Sequence, residues 1–203
     1  TGGTLSFVPG HSVTWLVKTD ADGDMLWNKT YMETLDNGAA SMVQTSDGGY
    51  ALTGAWAPSY FDREIILIRT DANGNLLWNK TYGGNEAYVA NSVVQTGDGG
   101  YALGGYVCWV PLGTNLYEGF LMKTDADGNQ LWNKTYVVEA GYTVAFSVVQ
   151  TGDGGYTLAG CTGPAIGPGP AQNLDGFLIR TDSDGNQLWD EIYGGAGDDR
   201  EFR

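Results

Sequence analysis

The side chains able to do chemistry in this sequence are mostly carboxylates, indoles and phenols. The 203 residues include 24 Asp plus Glu, seven Trp and twelve Tyr, but one His and two Cys. The carboxylates gather in one recurring turn: Asp20, Asp22 and Asp24; Asp71 with Asn73 and Asn75; Asp125 and Asp127 with Asn129; Asp182 and Asp184 with Asn186. Clustered oxygens on a loop suit calcium, and Asp20, Asp22 and Asp24 form the richest set. No Glu closes an EF-hand-like loop at the required distance. The expected role is therefore a hairpin turn, in which Asp and Asn bond their own backbone and tolerate left-handed conformations. No metal or cofactor is expected, with calcium as the one alternative. His11 stands in a loop with no second His or Cys nearby in sequence to build a triad. Acid–base work would need a carboxylate raised by an apolar pocket, and no stretch of sequence points to one. Cys108 and Cys161 occupy different places in the repeat, with no zinc or CxxC spacing, and are expected as partly buried thiols. No catalytic residue is assigned.

Two further residue sets recur. Trp27, Trp78, Trp132 and Trp189 fall at one repeated position. A large aromatic fixed once per repeat is expected to pack between repeats, where burial contributes on the order of 25 cal/mol per Å². Asn28, Asn79 and Asn133 each open an N-x-Thr sequon, which the fourth copy (Trp189-Asp190-Glu191) has lost. Such a sequon marks N-glycosylation in an exported protein. These three copy one position on a strand expected to be flanked on both sides, so strand packing is the expected role and glycosylation the alternative.

The elements that position these residues follow from the repeats. TDADGDMLWNKTY begins at Thr19, and close copies begin at Thr70, Thr124 and Thr181. QTSDGGYALTG begins at Gln44, with copies at Gln95 and Gln150. The period is about fifty residues. In the second copy, four strands are expected at Glu64–Thr70, Leu76–Tyr82, Tyr88–Gln95 and Tyr101–Trp109, separated by Asp/Asn-Gly turns. Four antiparallel strands per fifty residues predict an all-β fold, a β-propeller of four-stranded blades.

The spacing from Asp20 to Trp27 loosely resembles the tryptophan-docking motif of quinoprotein-type propellers. The fuller phrase, LWNKTYGG with DGGY and L-x-G, resembles a propeller repeat of secreted and surface proteins of archaea and bacteria. That resemblance covers almost the whole chain. It implies fold and an exported location, and assigns no activity. The vicinal Cys pair of quinoprotein dehydrogenases is absent here.

By alignment of the repeats, residues 1–10 are expected to be the outer strand of a preceding blade. Residues 12–58, 62–111 and 117–165 would be complete blades, and 174–203 half a blade. A ring so divided leaves strand edges open, which invites self-association. The chain, which starts Thr-Gly-Gly rather than with Met, is expected to be part of a longer protein. Completion of one ring by several chains and a compact four-bladed ring are the alternatives. The net charge is −14, and seven of ten basic residues sit at repeated positions, which argues against nucleic acid and anionic membranes. No apolar run reaches the length of a membrane span.

The connections between repeats differ in every copy. They carry Trp56, Tyr60, Phe61, Trp109 and Tyr117, amphipathic surface suited to a glycan or a protein. Gly163 to Pro170 is too rich in Gly and Pro for a strand. The expected function is a noncatalytic extracellular or cell-surface scaffold, a carbohydrate- or protein-binding module and a glycoprotein if the sequons are used. Two alternatives stand beside it. One is a propeller enzyme, a glycosidase, lyase or quinone-dependent oxidoreductase with its active site in further blades. The other is a self-assembling surface-layer or filament component.

Overall fold

The computed structural model of the chain describes residues 2–3, 6–8, 11–32, 37–56, 63–84, 86–109, 116–139, 141–164 and 174–194. Every regular element among them is a strand, so the fold is all-β; no helix there is long and apolar enough to cross a membrane. The first sheet holds β1 (Gly2–Gly3), β2 (Ser6–Val8), β3 (His11–Thr19) and β4 (Met25–Tyr31). Both β1 and β2 pair antiparallel with β3 in one continuous register, Gly2 opposite Val17 and Ser6 opposite Val13. The second sheet is β5 (Asn37–Gln44), β6 (Tyr50–Trp56), β7 (Glu64–Thr70) and β8 (Leu76–Tyr82), paired in that order. Two further runs of four follow. They are β9 (Ala87–Gln95), β10 (Tyr101–Trp109), β11 (Leu116–Thr124) and β12 (Gln130–Tyr136), then β13 (Gly141–Gln150), β14 (Tyr156–Pro164), β15 (Asp175–Thr181) and β16 (Gln187–Tyr193). A single parallel bridge, Tyr117 to Tyr142, joins these last two runs.

The strands fall where the hydrophobic pattern puts them, but the sheets divide the chain at another phase. Four-stranded units run over 37–82, 87–136 and 141–193, so the divisions at 12–58, 62–111 and 117–165 cut across sheets. Residues 2–8 likewise share a sheet with β3 and are not the outer strand of a separate unit. The cause lies after each LWNKTY strand. There the chain leaves for the next sheet, tying Arg63 C=O to Tyr88 N–H at 2.8 Å on the way. The sequon strands β4 and β8 are therefore sheet edges, not flanked on both sides. Strand β14 also runs on through Gly163 and Pro164, opposite Tyr142 and Gly141, at the end of its ladder where a missing proline N–H is tolerated. Residues 165–170 lie outside the described set.

Both repeated turns stand at one end of the sheets, with Gly48 close to Ala72 and Gly99 close to Ala126. Each D-x-x-G-N turn is closed by its first Asp. Asp71 Oδ1 accepts the N–H groups of Asn73 and Asn75, and its Oδ2 accepts the Asn75 amide. Asp125 and Asp182 do the same. Each DGG turn holds a cation from the third strand of its sheet: buried Arg69 to Asp47, buried Lys123 to Asp98 at 2.9 Å, and half-buried Arg180 to Asp153. The second glycine is obligatory there, because a Cβ on Gly100 would lie 2.2 Å from the Thr124 carbonyl oxygen.

Neighbouring sheets meet through one repeated junction. The Trp27 ring lies where a Cβ on Gly74 would come within 2.7 Å, and Trp27 meets Tyr50 edge-on at 6.0 Å. Trp78 with Gly128 and Tyr101, and Trp132 with Gly185 and Tyr156, repeat the arrangement. The hydroxyls of Tyr31, Tyr82 and Tyr136 donate to the carbonyls of Gly74, Gly128 and Gly185 at 2.7–2.8 Å. On the first strands, Gln95 and Gln150 accept the N–H groups of Ser46 and Gly97, each from the preceding sheet's turn. The core consists of the apolar layers between sheets, such as Ile65, Leu67, Leu103 and Phe120, all fully buried.

Candidate functional site

The end opposite the turns carries the connections that differ between copies, and there three tyrosines converge. Tyr106 is near the end of β10 and Tyr117 is the second residue of β11, with Cys108 directly opposite Tyr117 in the ladder. The rings of Tyr106 and Tyr117 lie 5.5 Å apart and those of Tyr117 and Tyr142 5.0 Å apart. The β11–β13 bridge brings Tyr142 to that place. Arg63, just before β7, lies near enough from the second sheet for its guanidinium to act on the Tyr106 hydroxyl. The Cys108 thiol and the Tyr117 hydroxyl are cross-strand neighbours that act on each other's protonation. Val144, Cys161 and Leu174 form the apolar floor.

Burial raises the pKa of both Tyr106 and Tyr117, and Arg63 offsets part of the rise at each. Burial also raises the Cys108 thiol. At neutral pH the cluster therefore presents O–H and S–H groups, aromatic faces and one guanidinium. A thiol kept protonated is a poor nucleophile. The arrangement suits contact through stacking and neutral hydrogen bonds, with a cation for one carboxylate or other anion.

The residues singled out from the sequence separate in space. Tyr117 lies in the cluster. Trp56 does not: it packs half-buried against the core around Leu16 and Leu52, with its indole N–H buried and unpaired among the described residues. Tyr60 and Phe61 lie outside the described residues, as does the side chain of Trp109, whose backbone pairs with Leu116. The His11 side chain also lies outside them. Trp27, Trp78 and Trp132 are docked between sheets, whereas Trp189 is 45% exposed. Asn28 and Asn79 are exposed on their edge strands. Asn133 is half-buried, with its Oδ1 buried beside an open polar cavity of about 110 Å³ that Tyr88 and Glu86 also line. Asp20 Oδ1 is occupied by the N–H groups of Asp22 and Asp24. Among the described residues no three acidic, His or Cys side chains converge as metal ligands.

Arg63, Tyr106 and Tyr142 were not marked out by the sequence reading. One signal was available for Arg63: it is the only described basic residue outside the repeated positions. No protein-family description and no curated protein matches this chain.

Proposed function

We propose that the chain is part of a β-propeller serving as a noncatalytic extracellular or cell-surface scaffold, whose variable end meets a glycan or a protein. The observation carrying this reading is the Tyr106–Tyr117–Tyr142 cluster with Arg63. It gathers neutral phenols and one cation on the end where copies differ, while the opposite end repeats the same turns. Clustered Tyr rings beside a guanidinium favour sugars or peptides bearing a carboxylate. The propeller reading rests on three four-stranded units that stack through one repeated junction, and on the period of about fifty residues.

The test is binding of the 203-residue chain to immobilised neutral and uronate-containing polysaccharides, beside Tyr117→Ala and Arg63→Ala. The expected result is retention on a carboxylated ligand that weakens roughly tenfold or more in either variant, as loss of one stacked or ionic contact gives. Hydrolytic or redox turnover that disappears on removing a single carboxylate would overturn the reading.

A further inference from the structure

The hexapeptide Leu-Trp-Asn-Lys-Thr-Tyr recurs unchanged at residues 26–31, 77–82 and 131–136, so its sequons have the same local sequence. The last two copies, on β8 and β12, are outer edges of four-stranded runs that have another run on either side. Strand alternation puts Trp78, Lys80 and Tyr82 toward the next turn and Leu77, Asn79 and Thr81 on the other face. Asn79 lies opposite Ile68 in its ladder, and Asn133 lies opposite Met122 in the same way. A difference between these two asparagines is therefore imposed by the fold.

The fold does separate them. Asn79 and Thr81 are exposed, whereas Asn133 is half-buried. The Asn133 Oδ1 is buried, and Gly83, Gly84, Glu86 and Tyr88 wall the cavity beside it. Tyr88 in turn meets Phe120 edge-on at 5.7 Å, against the core between the second and third sheets. Leu77, two residues before Asn79 on the same face, is 55% exposed. Strand β8 thus combines an open ladder edge, a bare leucine and an accessible sequon.

We propose that Asn79 carries an N-linked glycan and that Asn133 stays bare. The modification rests on the exported location proposed above, but not on the variable-end site. In the transfer, the Asn79 Nδ2 attacks the anomeric carbon of a lipid-phosphate-linked oligosaccharide. The C1–N bond forms as the C1–O bond breaks, the lipid phosphate leaves with the electron pair, and one Nδ2 proton passes to the transferase. On Asn79 the product stands in solvent, covers Leu77 and shields the β8 edge from pairing with another strand. On Asn133 the sugar would sit on an amide whose oxygen is buried, and would have to displace Tyr88 from Phe120. Transfer before folding leaves the expectation the same, because a chain glycosylated at Asn133 does not close that junction.

Secretion of the 203-residue chain from a host with an oligosaccharyltransferase tests this, with glycopeptide mass spectrometry of the folded fraction. That route delivers the chain to the transferase wherever the native protein resides. The result therefore bears on acceptor geometry, and the scaffold reading stands or falls by its own binding test. Asn79 should be occupied in most folded molecules, and Asn133 about tenfold less often or rarer, the factor given by some 1.4 kcal/mol. As free peptides, residues 73–84 and 127–138 should be accepted at similar rates, since the hexapeptide is shared. A preference between the peptides equal to that in the chain would overturn the proposal, because the selectivity would then be local. It is equally overturned if Asn79 is bare in the folded chain, or if folded chains carry a glycan on Asn133 as often as on Asn79.

Discussion

Lys123 is a buried cation whose carboxylate partner, Asp98, remains largely in water. Partial burial pushes the Asp98 carboxyl up, but the Thr96 hydroxyl, the Lys123 ammonium and the Gly100 N–H outweigh it and hold the pKa down at about 2. Asp47 is held at about 2 by the Thr45 hydroxyl, the Gly49 N–H and Arg69. Asp153 is held at about 2 by Thr151, Arg180 and the Gly155 N–H. A carboxyl whose folded pKa lies below its ordinary 3.8 stabilises the fold above that value, and the contribution is lost as pH falls from near 4 through about 2. Melting temperature should therefore be flat through neutral pH and drop across that acid window. The triple variant Asp47→Asn, Asp98→Asn, Asp153→Asn should melt lower at pH 6 and show a shallower acid limb. Identical acid limbs in variant and wild type would remove these turns from the acid response. Asp98→Asn alone should cost about 1 kcal/mol or less, because its carboxylate is mostly exposed and screened.

At the scale of the element, the D-x-x-G-N turn has two duties that separate cleanly. Its glycine must take positive φ, and in three copies it must also leave room for a tryptophan ring. Gly23 at φ 93° carries only the first duty; Gly128 at φ 74° carries both, with a Cβ falling 2.8 Å from Trp78. Both Gly→Ala changes suffer the left-handed strain of about 1–2 kcal/mol. Only Gly128→Ala must also displace the ring, so it should be the more destabilising by about 2 kcal/mol in chemical denaturation. Equal losses would mean that Trp78 does not depend on that glycine. This pairing also shows what the sequence made legible. Strand positions and both turns were readable, because alternating apolar runs and Asp-Gly pairs are local signals; the edges of β7, β8 and β10 match to the residue. The sheet boundaries were not readable. Whether β8 pairs with β9 or leaves it depends on the path from Tyr82 to Glu86, which carries no periodicity. The tyrosine cluster was half readable: Tyr117 stood out as a loop aromatic, but Tyr106 and Tyr142 sit within strands and meet only through the single β11–β13 bridge.

For the whole molecule, stacking of like units makes stability a sum of each sheet and its neighbours, as in other repeat architectures. Strands β12 and β16 isolate the neighbour's part. Both have seven residues, both carry Leu-Trp and a terminal Tyr, and both sit on the outer edge of a four-stranded run. They differ in what lies beyond. Trp132 and Tyr136 are docked on the next turn, whereas most of β16 is exposed, including Trp189, Ile192 and Tyr193. Strands β7 and β11 lie inside their sheets and are the most deeply buried. Hydrogen exchange should then rank β7 and β11 slowest, β12 next and β16 fastest. The ratio between β12 and β16 should be about tenfold or more, the factor given by some 1.4 kcal/mol of docking energy. Edge fraying alone would also speed β16, so the decisive comparison is Trp132→Ala, which removes the ring that β12 docks on the Gly185 turn. The β12 amides should then exchange as fast as those of β16, and unchanged β12 exchange would mean that docking on the neighbour does not protect that strand.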